Sequence, residues 1–196
     1  MNPSLFGCVT FPFLFGVMFG DICHGGCLFI VGSILCLFND RLSKGLSEKS
    51  PVNGFLQIRY LVLLMGFFAT FCGFMYNDFA SVPLFIDTCY EYLPGQAEPI
   101  AKPGCVHEFG IDPAWYLSAN EISYLNSMKM KISVIFGVAH MALGVVMKGA
   151  NSIFFKSPVD FCLEFVPQIV MMLALFGYMD LLIILKWLTD YSGKEN

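Results

Sequence analysis

The chain has 196 residues, of which 57% are hydrophobic and only 13% charged, with a mean hydropathy of +0.68 and a net charge of -4. A soluble domain carries about twice that share of charge, so this composition leaves too little polar surface to coat a globule in water. It excludes a water-soluble enzyme, a disordered chain and, through its acidity and lack of a basic stripe, a nucleic-acid binder, and points to an all-α, polytopic membrane protein.

The first apolar run, residues 5–38, is too long for one crossing. As a single helix it would reach about 50 Å, against a hydrocarbon core of roughly 30 Å. It is interrupted at Gly20-Asp21-Ile22-Cys23-His24-Gly25-Gly26, where two ionisable groups among three glycines suit a turn at a wet surface. Residues 1–38 therefore read as a tight transmembrane hairpin, with one long tilted helix as the open alternative. No positive n-region or cleavage site accompanies the run, so targeting is expected from a membrane segment or from sequence outside these residues.

Residues 39–55 are polar, with Arg41, Lys44 and Lys49 against Asp40 and Glu48, and with Pro51 and Gly54 as breakers. Residues 56–76 form the next span, with Arg59 placed to snorkel and Tyr60 and Tyr76 as interfacial aromatics. Residues 77–128 are one long polar segment containing Pro83, Pro94, Pro99, Pro103 and Pro113 and seven acids; loops of this length are commonly functional or disordered. Residues 129–148 are a span, 149–160 an amphipathic connector, 161–188 the last span and 189–196 a polar tail. Lysine and arginine bias places 39–55 and 149–160 in the cytosol, which puts 77–128 on the lumenal side, as an acidic loop. About five helices result.

Asp21 and His24 are the sharpest local feature: three residues apart, they share a helical face and can exchange a proton. An ionisable group at membrane depth is a functional hypothesis, but a satisfied polar turn explains the pair equally, and a membrane hydrolase using it lacks a nucleophile elbow. His140 lies mid-span among Gly137, Ala139 and Gly144, which suits close helix packing. Asp180 lies about two turns, or 10 Å, inside the last run, with Lys186 as a candidate partner. Glu164 and Gln168 sit one turn apart near its other end. These five ionisable residues, Asp21, His24, His140, Glu164 and Asp180, are the polar intramembrane candidates. No catalytic residue, metal site or cofactor is expected, and no Walker loop is present.

Five of the eight cysteines, Cys23, Cys27, Cys36, Cys72 and Cys162, lie in or beside apolar runs, where a thiol behaves as a small hydrophobe. Cys89 and Cys105 share the polar segment. They pair if it faces an oxidising lumen and stay free thiols otherwise; the spacing leaves both open.

Four stretches, in order, TFPFLFGVMFGDICHGG, RYLVLLMGFFATFCGFMYNDF, FGIDPAWYLSANEISYLNSMKMKISVIFGVAHMALGVV and FGYMDLLIILKW, resemble signatures of subunit a of the vacuolar-type proton-pumping ATPase. They run from Thr10 to Trp187; the related archaeal-type I subunit is the nearest rival. The resemblance implies a membrane domain of eight helices, of which this chain holds the first five, behind a large cytosolic domain. It implies association with the proteolipid ring, the other pump subunits and the lipid bilayer, with no nucleic acid and no small-molecule substrate. The implied membrane is that of an acidic organelle, vacuolar, lysosomal or endosomal. The family's essential arginine lies in the last two helices, which are absent here, so no proton-path residue is carried over. At Asp180 the family's pattern leads one to expect an apolar residue. The implied role is non-catalytic: bracing the channel helices during ATP-driven proton transport. The alternative is a non-transporting membrane scaffold or assembly protein, a short paralogue of the family rather than a fragment.

Overall fold

A computed structural model describes residues 2, 4–39, 54, 56–84, 88–91, 100–118 and 120–189. Nearly all of the expected 39–55 loop, with Arg41, Lys44 and Lys49, and all but Thr189 of the 189–196 tail lie outside the described residues. The fold is mostly helical: α1 (Ser4–Met18), α2 (Ile22–Leu37), α3 (Arg59–Tyr76), α4 (Glu121–Phe154) and α5 (Pro158–Leu188), with a two-stranded antiparallel ribbon of β1 (Tyr90–Glu91) and β2 (Ile100–Ala101) between α3 and α4. Three helices, α3, α4 and α5, are long and apolar enough to cross a membrane, while α1 and α2 are shorter apolar helices. The chain divides into two compact units, residues 8–129 and residues 1–7 with 130–196.

In the first unit α3 is the central element. The break in the first apolar run falls at residues 19–21, between Met18 and Ile22. α1 then lies parallel to α3, with Gly16 against Phe68 and Phe13 edge-on to the Phe68 ring at 5.6 Å. α2 lies antiparallel to it. Going up α2, Ile22 meets Gly73, Gly25 meets Ala69 and Thr70, Phe29 meets Gly66 and Gly32 meets Leu63. Gly25 and Gly32 are seven residues apart, as are Gly66 and Gly73, and seven residues return to the same helix face after two turns. At each of the four, a Cβ would stand less than 3.0 Å from backbone atoms of the facing helix. Small residues let membrane helices approach until their backbones touch, which is how packing is driven where water is absent. The few buried side chains, Pro12, Val17, Ala69 and Cys72 among them, lie along these contacts, whereas Phe11, Phe67, Phe71 and Phe74 face outward.

Asn77 ends α3 in the left-handed conformation (φ 54°), a common helix stop for this residue. A tight turn follows in which Phe79 and Val82 exchange both backbone hydrogen bonds, at 2.9 and 3.0 Å. Its two central residues, Ala80 and Ser81, have φ of 50° and 68°. Such a turn ordinarily takes Asn-Gly or Gly-Gly, so the backbone here carries strain that its surroundings hold in place. Beyond it, Cys89 and Cys105 are joined in a disulfide that staples the ribbon at its base. A short 3-10 helix, Pro113–Leu117, is started by Asp112, whose side chain accepts the Ala114 N–H. Trp115 stacks on Tyr124 of the first turn of α4 at 4.7 Å.

α4 has 34 residues, about 51 Å of helix. It continues past both ends of the expected 129–148 span, because SYLNSMKMK and KGANSIF contain no proline. In the second unit the return from α4 to α5 occupies only residues 155–157, with Lys156 in the left-handed conformation (φ 55°). Close to this bend the Lys148 ammonium pairs with the Glu164 carboxylate, and the Phe165 ring lies over Gly149. α5 contains two π-helical turns, Phe161–Phe165 and Leu173–Gly177, and none of its most apolar window is buried.

Candidate functional site

The site builds outward from Asp21. Its backbone is extended (φ -150°, ψ 130°), so it caps α2 rather than joining it. One carboxylate oxygen accepts the N–H groups of Cys23 (2.7 Å) and His24 (3.3 Å), two of the donors that a helix start leaves without partners. The same oxygen accepts the Ala80 N–H at 3.2 Å, from the strained turn after α3. The other oxygen lies 2.6 Å from Nδ1 of His24. The Asp21 side chain is 17% exposed and that of His24 79% exposed, so the pair has one member inside and one in solvent. Partial burial pushes the Asp21 carboxyl up. The bonds from the His24 ring and from the Ala80, His24 and Cys23 N–H groups outweigh it, and hold the carboxyl below its ordinary value.

The next residue, Ile22, donates its N–H to the Asp78 carbonyl at 2.9 Å. The Asp78 carboxylate accepts the Ser81 N–H (2.9 Å) with one oxygen and the Lys129 ammonium (2.9 Å) with the other. Lys129, at the start of α4, also stands 4.8 Å from the centre of the Tyr76 ring, and the Tyr76 hydroxyl donates to the Val17 carbonyl at 2.8 Å. Hence one chain of polar contacts runs His24–Asp21–Ala80 and Ile22–Asp78–Lys129–Tyr76–Val17. It ties together the C-terminus of α1, the N-terminus of α2, the C-terminus of α3 and the N-terminus of α4. The Asn77 side chain fastens the following segment: its amide donates to the carbonyls of Leu84 and Ile111, both at 3.2 Å, while its oxygen accepts the Leu84 N–H at 3.0 Å.

A cavity of about 380 Å³ opens beside this chain of contacts, lined by Tyr76, Asp78, Asp112, Trp115, Glu121 and Lys129 among others. Asp112 is held by the N–H groups of Ala114 (2.8 Å) and Cys89 (3.0 Å). Burial pushes its carboxyl up, but these bonds, one from Thr88 and the nearby His107 bring it below the ordinary value. The arrangement can hold water near two differently held carboxylates, Asp78 with an ammonium and Asp112 with backbone N–H groups, whereas Asp21 and His24 are not among the lining residues. Among the described residues, no group of three or more His, Cys, Asp or Glu side chains is placed to hold a metal ion.

Of the sequence candidates, Asp21 and His24 therefore meet each other and the end of α3. His140, Glu164 and Asp180 belong to the second unit and stand in separate surroundings. His140 is half-buried midway along α4. Glu164 is taken by Lys148. Asp180 is half-buried, its Oδ1 is shielded from solvent and lacks a hydrogen-bond partner, and it forms no ion pair with Lys186. Sequence reasoning missed Asp78, Asn77, Tyr76 and Lys129 as members of the site. The available signal was Tyr-Asn-Asp immediately after an apolar run, where an Asn that accepts the left-handed conformation ends a helix and leaves a carboxylate at its mouth.

All 196 residues match the V-type ATPase 116kDa subunit family. The chain is 40% identical over 195 residues to V-type proton ATPase subunit a1 of Arabidopsis thaliana, covering 96% of this chain and 24% of that protein. It is 40% identical over 211 residues to the V-type proton ATPase 116 kDa subunit a1 of Xenopus laevis (95% and 25%) and 37% identical over 198 residues to V-type proton ATPase subunit a of Schizosaccharomyces pombe (100% and 24%). It spans about a quarter of the length of these curated relatives. With the match extending over its whole length, this chain belongs to the V-type ATPase 116 kDa subunit family.

Proposed function

We propose that the chain is a stationary part of the membrane sector of a rotary proton pump, bracing channel helices supplied from outside these residues, beside a proteolipid ring. The observation that carries this reading is the polar chain from His24 to Val17. It locks four helix ends to one another, while glycine contacts lock α2 along α3 from Leu63 to Gly73 and the C-terminal part of α1 against Phe68 to Tyr76. A brace needs this kind of construction, since hydrocarbon offers no hydrophobic drive to hold helices together. In this reading α1 and α2 form a membrane hairpin, and residues 77–128 face the lumen of an acidic organelle, vacuolar, lysosomal or endosomal. The Cys89–Cys105 disulfide supports that side, because such bonds persist in oxidising compartments. Asp21 and His24 serve to hydrate a vestibule where protons exchange with the lumen.

The test is purification of the tagged chain from native membranes in mild detergent. Stoichiometric recovery of the proteolipid ring is expected. Recovery of the chain without the ring overturns the bracing role and leaves the scaffold or assembly reading. If the ring is recovered, Asp21→Asn is expected to slow ATP-driven acidification of vesicles while ATP hydrolysis continues.

A further inference from the structure

We propose that the Cys89–Cys105 disulfide is a redox-operated strap: an aqueous dithiol that reduces it frees Asp112 and, through Trp115, loosens the first turns of α4. The inference needs the bond and no part of the pump reading. Cys89 donates its N–H to one Asp112 oxygen at 3.0 Å, and the other oxygen accepts the Ala114 N–H at 2.8 Å. Asp112 therefore joins the ribbon to the 3-10 helix Pro113–Leu117. That helix lays Trp115 flat on Tyr124, with centroids 4.7 Å apart and ring planes within 8°. Tyr124 stands five residues before Lys129, whose ammonium holds Asp78. The ribbon itself is slight: β1 and β2 pair over two residues each, and the Cys89 carbonyl accepts the Lys102 N–H at 2.9 Å. Two strands alone are marginal in water, so the covalent bond, more than the ladder, keeps the Cys89 N–H on Asp112. The α3 side is fastened independently. Asn77 donates to the Leu84 and Ile111 carbonyls, and the Ile111 N–H reaches the Met75 carbonyl at 3.2 Å. Reduction thus loosens the start of α4 and leaves the α2–α3 seam in place.

The bond is also placed for exchange. A cavity of about 420 Å³ is lined by both cysteines together with Lys102 and His107. Cys105 is exposed and Cys89 half-buried, so Cys105 is the open half that an incoming thiolate meets. The Lys102 ammonium donates to the Thr88 carbonyl, next to Cys89, at 3.4 Å, and its acidic neighbour Glu91 is a loose, exposed partner at 3.6 Å. A cation beside the departing sulfur favours its thiolate and so speeds exchange. One thiolate of the dithiol attacks Cys105 Sγ. The S–S bond breaks, and its electron pair leaves on Cys89 Sγ. The second thiolate of the reductant then attacks the mixed disulfide, closes the reductant's own disulfide and releases the Cys105 thiolate. The protein gains two electrons, the dithiol loses two, and the freed thiolates take their protons from water.

The experiment follows amide hydrogen exchange by mass spectrometry in the full chain purified from native membranes in mild detergent, before and after dithiothreitol without denaturant. Thiol labelling of the same samples reports whether the bond has opened. Reduction is expected to speed exchange across residues 113–129 at least tenfold, to leave residues 63–73 of α3 unchanged, and to be reversed on reoxidation. Asp112→Ala is expected to show the same rise with the bond intact, and no further rise on reduction. A bond that opens with no change at 113–129 overturns the strap, as does a further rise of equal size in Asp112→Ala, which sends the effect by another route. A bond that resists dithiothreitol until the chain is denatured overturns its lability, and free Cys89 and Cys105 before any reductant remove its basis.

Discussion

Gly25 and Gly26 are adjacent in α2, so replacing either with alanine changes composition, hydropathy and membrane insertion identically. Their surroundings differ completely. A Cβ on Gly25 would meet the Thr70 nitrogen at 2.5 Å and the Ala69 carbonyl carbon at 2.8 Å, while a Cβ on Gly26 has nothing within 4 Å. Non-bonded heavy atoms settle at about 3.5–4.0 Å. The atoms facing Gly25 are backbone, so no rotamer change relieves them, and α2 must withdraw from α3 by roughly 1 Å. Overpacking of this kind costs about 1–3 kcal/mol. Both substitutions gain the same helix propensity, up to about 1 kcal/mol, which cancels in the comparison. The two variants should therefore differ by about 1–3 kcal/mol, or roughly 5- to 140-fold in the folding equilibrium at about 1.4 kcal/mol per tenfold. Reversible unfolding in mixed micelles, with the denaturing detergent fraction as the variable and helix content as the signal, measures this difference. Variants equal within about 0.5 kcal/mol would refute the idea that backbone contact at the glycines holds α2 to α3.

The remaining predictions concern the polar cap and the loop. Asp21 has its carboxyl held below the ordinary aspartate value of about 3.9, so the stability it contributes is complete above that pH and is lost as pH falls through the lower folded value; acid titration of unfolding should show this loss in the native chain, and a flatter profile in Asp21→Asn. Lys129→Met leaves Asp78 half-buried without its cation and should destabilise by roughly 1–3 kcal/mol; Asp78→Asn in the same chain should recover part of that cost, and a double-mutant cycle that finds simple additivity would sever the pair. The Cys89–Cys105 bond closes a separation of 16 residues, for which the chain-entropy model gives about 3 kcal/mol. Maleimide labelling of the denatured chain should count six thiols before reduction and eight after it, since Cys8, Cys23, Cys27, Cys36, Cys72 and Cys162 are free; eight before reduction would remove the bond from the structure.

The helices were legible because apolar length is a composition signal, and the break at Gly20–Asp21 was legible because an ionisable residue among glycines interrupts it. Three-residue spacing put His24 within reach of Asp21, but on a shared helical face, whereas Asp21 stands outside α2 as its extended cap. Spacing along one chain says nothing about what a second segment brings, so the Ala80 N–H on Asp21 and the Lys129 ammonium on Asp78, 59 and 51 residues away, were not legible. The turn that delivers Ala80 was concealed further, because Ala-Ser is not the residue pair its left-handed backbone normally takes. The glycines were visible, but which of them pack was not. Gly137 and Gly144 repeat the seven-residue interval of Gly25 and Gly32, yet a Cβ at either would have nothing within 4 Å. Interval sets a face; only the partner helix decides whether that face is used.

The two units distribute packing unequally, and the reason lies in what each helix can offer a neighbour. α3 has Gly66, Ala69 and Gly73 on the side where α2 passes, so backbone meets backbone and dispersion contacts accumulate along the whole seam. α5 has Leu, Phe and Met around most of its circumference. Such side chains gain as much from lipid tails as from another apolar helix, so only specific features recruit a neighbour: the Lys148–Glu164 pair and the Gly149–Phe165 contact near the bend. Glycine seams tied off by Asp21, Asp78 and Lys129 hold the helices of the first unit to one another, whereas Gly177 of α5 meets only side-chain and backbone atoms of its own helix.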